Sequence, residues 1–179
     1  MKISIIGPCG GGKSTLARMI ADRYGLTYVD LDDVFVDYSN IIENKIPLYK
    51  NSKIMSDLNK VFKKKNWVME GIYKVEEIFD KADLIILVIQ PIWQTIFWQW
   101  KRYFTDPVER VRFGFKHNLI LSQIIINQYY NPRDYYRRVG IDYPTVKFFK
   151  KIVKKYNSKS DIYPCANRID LYEKIDLLI

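Results

Sequence analysis

A glycine-rich octapeptide near the N-terminus carries the strongest chemical signal in the sequence, because Gly7-Pro8-Cys9-Gly10-Gly11-Gly12-Lys13-Ser14 matches the pattern G-x-x-x-x-G-K-[ST] in full. Glycine lacks a Cβ and tolerates positive φ, so such a segment can curl until successive backbone N–H groups point at phosphate oxygens. Lys13 is expected to reach the β- and γ-phosphates of ATP, and the Ser14 hydroxyl to ligate Mg²⁺. The pattern therefore predicts ATP and Mg²⁺ as cofactors. The residues expected to bind them are Gly7, Pro8, Cys9, Gly10, Gly11, Gly12, Lys13, Ser14 and Thr15.

Three acidic residues follow the ends of predicted strands. Asp30 and Asp32 come after one apolar segment, and Glu70 comes after another. In open α/β sheets the ligand lies beyond the carboxyl ends of the strands, so these carboxylates are expected on the same rim as the glycine loop. Phosphoryl transfer needs one carboxylate to hold the metal and one to orient the acceptor and accept its proton. We assign Ser14, Asp30 and Glu70 as ligands of Mg²⁺, and Asp32 and Glu70 to catalysis. The competing interpretations are that the aspartates cap a helix and that Glu70 lies in a simple turn.

Arginines further along the chain could meet the charge that develops on a transferred phosphoryl group. Arg102 and Arg110 flank or lie within Thr105–Gly114, which we predict to be a mobile loop. We assign both arginines to catalysis together with Lys13, against the alternative of solvated surface charges. The wider range 101–140 is the candidate lid and acceptor-covering insertion.

The elements that would position these residues alternate between strands and helices. Strands are predicted at 2–6, 27–29, 67–69, 84–89 and 162–165, and helices at 13–24, 54–62, 91–103, 115–130, 144–156 and 169–178. Alternation of this kind favours right-handed βαβ units, and therefore an α/β three-layer sandwich with a five-stranded parallel sheet. In the helix of 91–103, Trp93, Ile96, Phe97 and Trp100 fall at helical spacing, which favours packing in the core or in an acceptor pocket.

Bulk composition sets the broad class of the protein. The chain has 179 residues, of which 48% are hydrophobic and 27% charged, as expected for one globular domain spanning residues 1–179. The apolar stretch 84–100 is interrupted by Gln90, Pro91, Gln94 and Gln99, which argues against a membrane span. The sequence also shows no signal peptide, so we predict a cytoplasmic protein. The net charge of +9 favours anionic small molecules ahead of nucleic acid as partners, because the lysines are scattered. A monomer or a homodimer is expected.

These residues together resemble the adenylate-kinase-like P-loop kinases, and within them the small DNA topology modulation proteins. The matching pieces are the glycine loop with Thr15-Leu16-Ala17, Leu31-Asp32, the segment Trp67–Tyr73, Ala82–Ile86 and Lys101-Arg102. The resemblance implies a nucleotide-kinase-like P-loop NTPase fold, an acceptor-side acid at Asp32 and a phosphate-sensing Arg102. The residues of 115–156 match no known pattern.

The sequence thus predicts an ATP- and Mg²⁺-dependent phosphotransferase that acts on a small hydroxyl or phosphate acceptor, with a nucleoside or nucleotide favoured. One alternative is an ATP-binding regulatory protein without turnover. The other is a nucleic-acid-associated protein that affects DNA topology. A GTPase switch is disfavoured, because the sequence has no N-K-x-D.

Overall fold

The computed structural model describes residues 1–31, 52–71, 76–138, 141–164, 173 and 175–177. Its strands are β1 (Lys2–Ile6), β2 (Thr27–Asp30), β3 (Trp67–Glu70), β4 (Leu84–Ile89), β5 (Tyr135–Arg138), β6 (Ile141–Pro144) and β7 (Ser160–Pro164). Its helices are α1 (Lys13–Tyr24), α2 (Ser52–Phe62), α3 (Glu76–Lys81), α4 (Ile92–Thr105), α5 (Pro107–Tyr130) and α6 (Val146–Lys155), followed by a 3₁₀ turn at Asn157–Lys159.

Five of the strands form one parallel sheet in the order β2-β3-β1-β4-β7, and β5 and β6 form a separate antiparallel hairpin. The register aligns the carboxyl ends on one side of the sheet, since Ile5 pairs with Glu70 and Glu70 with Asp30. The α/β architecture with a parallel sheet that the sequence predicts is therefore confirmed.

Both faces of the sheet are apolar, because helices cover both of them. On one face Trp67, Met69 and Ile85 pack in a cluster with residues of α2, α3 and α6. On the other face Ile3 and Val68 pack in a second cluster with residues of α1. The sheet is the middle layer of three, and its carboxyl edge is left for polar residues.

The prediction of a mobile loop at Thr105–Gly114 is wrong. Pro107 begins α5, since proline suits the first turn of a helix, and the helical segment runs as far as Gly114. Gly114 itself has φ 65° and ψ 168°, a non-helical conformation that kinks α5. The β5–β6 hairpin was not predicted at all.

For two of the aromatic side chains on α4, the alternative of packing in the core is also wrong. Trp93 is 66% exposed and Phe97 is 57% exposed. The buried residues of α4 are Thr95 and Gln99 instead. Helical spacing identified a face correctly, but it could not say which face points inward. Among the described residues, no helix is both long and apolar enough to cross a membrane.

Replacing a buried aromatic side chain of α6 tests the core. Phe149 is 1% exposed, and Phe149→Ala is expected to lower the free energy of unfolding by about 3–5 kcal/mol, because it removes apolar burial and leaves a cavity. The measurement is denaturant-induced unfolding, with Lys150→Ala at the exposed neighbouring position as the control. A loss in Phe149→Ala no larger than that in the control would contradict this packing.

Candidate functional site

The glycine loop connects β1 to α1, as the motif predicts. Gly10 has φ 72° and Gly12 has φ 86°, both in the left-handed region that favours glycine. Gly12 is the N-cap of α1, so the helix begins at Lys13 with its backbone N–H groups directed back toward the loop. The positive end of the helix dipole therefore adds to the N–H donors of the loop.

Neighbouring elements approach the loop too closely for side chains. A Cβ at Gly7 would lie 2.3 Å from the carbonyl oxygen of Val88 in β4. A Cβ at Gly10 would lie 2.8 Å from Cγ2 of Thr95 in the first turn of α4. Glycine is thus required at these positions, because a side chain there would clash with β4 or α4.

Lys13 is 7% exposed although it carries a charge. Its Nζ donates a hydrogen bond to the carbonyl oxygen of Pro8 at 3.0 Å, which holds the ammonium group against the loop. Ser14 is half-buried and Thr15 is exposed on the first turn of α1. The loop and the first turn of the helix thus gather a cation, a hydroxyl and several N–H donors.

A buried glutamine of α5 anchors the loop from the far side. Gln128 is 0% exposed, and its Oε1 accepts a hydrogen bond from the backbone N–H of Cys9 at 2.9 Å. Its Nε2 donates to the carbonyl oxygen of Pro144, at the end of β6, at 3.0 Å. One side chain therefore ties the glycine loop to the β5–β6 hairpin. Sequence reasoning missed Gln128; the available signal was a polar residue next to Ile124 and Ile125 on the buried side of an apolar helix.

The carboxylates of Asp30 and Glu70 lie side by side at the ends of β2 and β3, where they are register partners. The hydroxyl of Tyr28 lies 3.2 Å from Oδ2 of Asp30 and 3.2 Å from Oε1 of Glu70, and donates to this acidic pair. Glu70 is 1% exposed, whereas Asp30 is half-buried at the rim. The structure thus brings together two of the three acids that the sequence singles out, and Asp32 lies outside the described residues.

Tyr28 is a further residue that sequence reasoning missed. It precedes Asp30 by two positions on one strand, so the period-two alternation of a strand directs both side chains to the same face. Burial raises the pKa of the Tyr28 hydroxyl, and the negative charges of Glu70 and Asp30 raise it further. The guanidinium Cζ of Arg18 lies 5.4 Å from the centre of the Tyr28 ring and opposes this effect.

The predicted arginines stand at different distances from the loop. Arg102 is exposed and lies seven residues after Thr95, which places it on the same face of α4 about 10 Å further along the helix axis. Arg110 lies in α5, and its side chain is outside the described part of the structure. Where the structure describes side chains, no group of three or more His, Cys, Asp or Glu is placed to hold a metal ion. A cation at this rim would therefore depend on Ser14 and on phosphate oxygens besides the carboxylates.

Comparison with known proteins finds kinases. No family model matches the chain. The chain is 33% identical over 94 residues to an adenylate kinase of Pyrococcus horikoshii, which covers 43% of this chain and 40% of that protein. It is 34% identical over 83 residues to a cytidylate kinase of Alkaliphilus oremlandii, which covers 44% and 38% respectively. The chain thus spans about two fifths of the length of these curated relatives.

Among solved structures, a shikimate kinase from Acinetobacter baumannii in complex with shikimate covers 99% of this chain and 91% of its own. Its sequence identity is 17% and its TM-score is 0.48. A likeness this weak says nothing about which acceptor this protein uses.

Removing the amide of Gln128 tests how the loop is held. Gln128→Met keeps the length of the side chain but leaves the Cys9 N–H without this acceptor, so the free energy of unfolding is expected to fall by about 1–3 kcal/mol. The amide of Cys9 is expected to exchange its hydrogen faster in the variant. Denaturant unfolding and hydrogen exchange measure the two effects. Gln123→Met, at an exposed position of the same helix, is the control. Unchanged Cys9 exchange would contradict the anchoring role.

Alkaline pH tests the environment of Tyr28. The pKa of Tyr28 is raised in the folded protein, so its contribution to stability is fully present below the unfolded-state value of about 10. That contribution is lost as pH rises above this value, because the unfolded chain then releases a proton that the folded protein retains. Tyr28→Phe, which cannot ionise, is expected to lose less stability than the unmodified protein above pH about 10.

The measurement is the free energy of unfolding as a function of pH, compared between the two proteins. Tyr130→Phe, at a tyrosine that is 70% exposed, is the matched control. Parallel alkaline profiles for Tyr28→Phe and the unmodified protein would show that folding does not raise the pKa of Tyr28.

Proposed function

We propose that this protein is an ATP- and Mg²⁺-dependent phosphotransferase that acts on a small hydroxyl or phosphate acceptor, with a nucleoside or nucleotide favoured. The observation that carries the proposal is the glycine loop itself. Its glycines in the left-handed conformation, the buried Lys13 and the start of α1 lie on the same edge of the sheet as two carboxylates. Matches to adenylate and cytidylate kinases over part of the chain support the same reaction class.

The loop fits a triphosphate on chemical grounds. Glycine at Gly7 and Gly10 lets the loop pass close to β4 and α4, and the left-handed glycines let it curl so that its N–H groups can face phosphate oxygens. The residues that would hold ATP are those of Gly7–Thr15. Lys13 would exchange its hydrogen bond to Pro8 for contacts to the β- and γ-phosphates.

The rim also fits a hard cation, because its donors are oxygens. Ser14 and Asp30 are accessible enough to contact Mg²⁺ directly. Glu70 is buried, so we assign it a supporting role in this site. Its carboxylate makes the rim negative and accepts a hydrogen bond from the Tyr28 hydroxyl. When bound, Mg²⁺ would neutralise phosphate charge and so favour transfer.

The reaction proposed is an in-line displacement. An acceptor oxygen forms a bond to the γ-phosphorus while the bond from that phosphorus to the β–γ bridging oxygen breaks, and ADP leaves. Asp32 would accept the proton of a hydroxyl acceptor, an assignment that still rests on the sequence. Lys13 and Arg102 would stabilise the charge on the transferred group, with Arg110 as a further candidate.

The acceptor class follows from charge and from the relatives. A net charge of +9 favours an anionic acceptor. The names adenylate kinase and cytidylate kinase identify nucleotide acceptors for those proteins, and we extend that class to this chain. We further propose that the chain works as one domain in the cytoplasm, with 101–140 covering the acceptor. The resemblance to the DNA topology modulation group adds no reaction of its own.

Lys13→Ala tests the proposal. Steady-state release of ADP is measured in the presence of Mg²⁺ and a panel of nucleosides, nucleoside monophosphates, shikimate-like hydroxy acids and oligonucleotides. The unmodified protein is expected to release ADP only with the right acceptor, and Lys13→Ala is expected to be slower by about 100-fold or more. Lys64→Ala, at an exposed lysine, is the matched control and should keep full activity.

Saturable ATP binding without turnover on any acceptor would contradict the proposal and indicate a regulatory binder. Activity that survives Lys13→Ala would remove the glycine loop from the reaction. Salt-sensitive affinity for DNA or RNA without turnover would favour the nucleic-acid alternative.

A further inference from the structure

The helices α4 and α5 expose many large apolar side chains. Nine large hydrophobic side chains are exposed among the residues that the structure describes, and Leu177 is the one that lies outside these two helices. The other eight define a surface that we call the outer face. They are Trp93, Phe97, Trp98, Phe104, Phe115, Leu119, Ile126 and Tyr130.

On α4 the usual distribution of residues is inverted. Its buried residues are Thr95 and Gln99, which are both polar. Trp93, Phe97 and Phe104 are 66%, 57% and 61% exposed, and their spacing of four and seven residues places them on one face of the helix. That face lies opposite to the side where Thr95 contacts the glycine loop.

On α5 apolar residues lie on both sides of the helix, since Ile124 and Ile125 are buried while four other large apolar side chains are exposed. Phe115, Leu119, Ile126 and Tyr130 are spaced four, seven and four residues apart, so they form one exposed stripe. The buried polar residues Asn118 and Gln128 of the same helix are 6% and 0% exposed. A surface helix of a globular protein normally directs its apolar stripe toward the core and polar residues toward solvent.

The two stripes join into a single surface because the helices pack together. Gln99 Nε2 donates to the backbone carbonyl oxygen of Asn118 at 2.8 Å, and Trp100 Nε1 donates to Ser122 Oγ at 3.1 Å. The ring of Trp100 lies 5.4 Å from that of Phe115 and 5.9 Å from that of Phe104. Aromatic contact therefore runs across the groove between α4 and α5.

The size of the outer face exceeds what a monomer usually exposes. With areas of about 150–250 Å² for an aromatic side chain, the exposed fractions of the eight residues correspond to a total on the order of 900 Å². Monomers rarely expose a continuous apolar patch larger than about 300–600 Å². Each partner in a stable protein interface buries about 800 Å².

We propose that the outer face of α4 and α5 is covered by the same face of a second copy of this chain, which makes the protein a homodimer. The area is that of one side of a standard interface, and its centre is aromatic as interface centres are. Two helices from each copy would pack as a four-helix layer about a twofold axis. The helical spacing puts Lys101 and Lys116 at the edge, where the stems can cover apolar surface while the charged ends stay in water.

A nucleic acid fits this surface less well. Leu119 and Ile126 interrupt the aromatic stripe, and neither has a ring on which a base could stack.

The residues 92–105 and 114–130 contain no Asp or Glu and include Lys101, Arg102 and Lys116, so like charges would meet around the dimer edge. Salt screens such repulsion, so the dimer is expected to tighten as salt is added, whereas binding to polyanions or anionic lipid would weaken.

Sedimentation velocity over a wide range of protein concentration tests the proposal. The unmodified chain is expected to be a dimer that dissociates on dilution and tightens in added salt. The double variant Trp93→Gln with Phe97→Gln is expected to dimerise at least about 30-fold more weakly, because large aromatic side chains dominate interface energies. Leu177→Gln, which changes an 87% exposed hydrophobic residue elsewhere, should leave the dimer intact.

Because the replaced side chains are exposed, the double variant and Leu177→Gln should unfold at the same temperature once dimerisation is accounted for. Tyr130→Ser, on the other helix of the outer face, provides a second test. A chain that is monomeric at every concentration would overturn the proposal, as would a dimer unaffected by all the outer-face variants. A monomer that binds anionic vesicles or single-stranded DNA through Trp93 and Phe97 would also overturn it and identify a different partner. None of these outcomes depends on whether the protein transfers phosphate.

Discussion

The backbone of the glycine loop runs so close to β4 that one methyl group at Gly7 would stand 2.3 Å from the carbonyl oxygen of Val88. This close approach fixes where the loop leaves the sheet, and the left-handed conformations of Gly10 and Gly12 then turn it into the first residue of α1. The N–H groups of the loop, the ammonium of Lys13 and the hydroxyl of Ser14 consequently share one edge of the sheet with Asp30. A side chain at Gly7 or Gly10 would clash with β4 or α4 and displace the loop from this path.

The helices α4 and α5 connect this loop to the rest of the molecule through their polar residues. Thr95 packs on Gly10, and Gln128 accepts from the N–H of Cys9, so the inner side of the helix pair is specialised for contact with the loop. The same arrangement leaves the aromatic residues of both helices facing outward. Whatever covers the outer face would therefore stiffen the helices against which the glycine loop is held.

Local sequence signals predicted the parts of the structure that depend on local physics. The strand, loop and helix around Lys13 follow from glycine conformation and capping, and the turn at Gly25, with φ 63°, follows from the same preference. Asp30 and Glu70 were predictable because parallel strands end on one edge. Gln128 was not, since its partner Cys9 lies 119 residues away in the chain and polar residues on helices usually face water.

The burial of α4 was mispredicted for a related reason. Apolar residues at helical spacing identify an apolar stripe on a helix. The spacing is the same whether that stripe packs on the core or lies exposed on the surface. Trp93 and Phe97 could be placed only after Thr95 and Gln99 were seen to face the loop and α5. In α5 a first helical segment begins at Pro107, and the non-helical φ and ψ of Gly114 separate it from the segment that the sequence predicts at 115–130.

The most direct test of the central claim is to follow the backbone amide resonances of the protein by NMR while ATP and Mg²⁺ are added, with adenosine as the comparison. We expect saturable shifts at the amides of Gly10, Gly11, Gly12, Lys13 and Ser14 with ATP, and none of comparable size at those amides with adenosine, because the triphosphate is what the loop binds. Shifts confined to other parts of the chain, or equal shifts with both compounds, would contradict it.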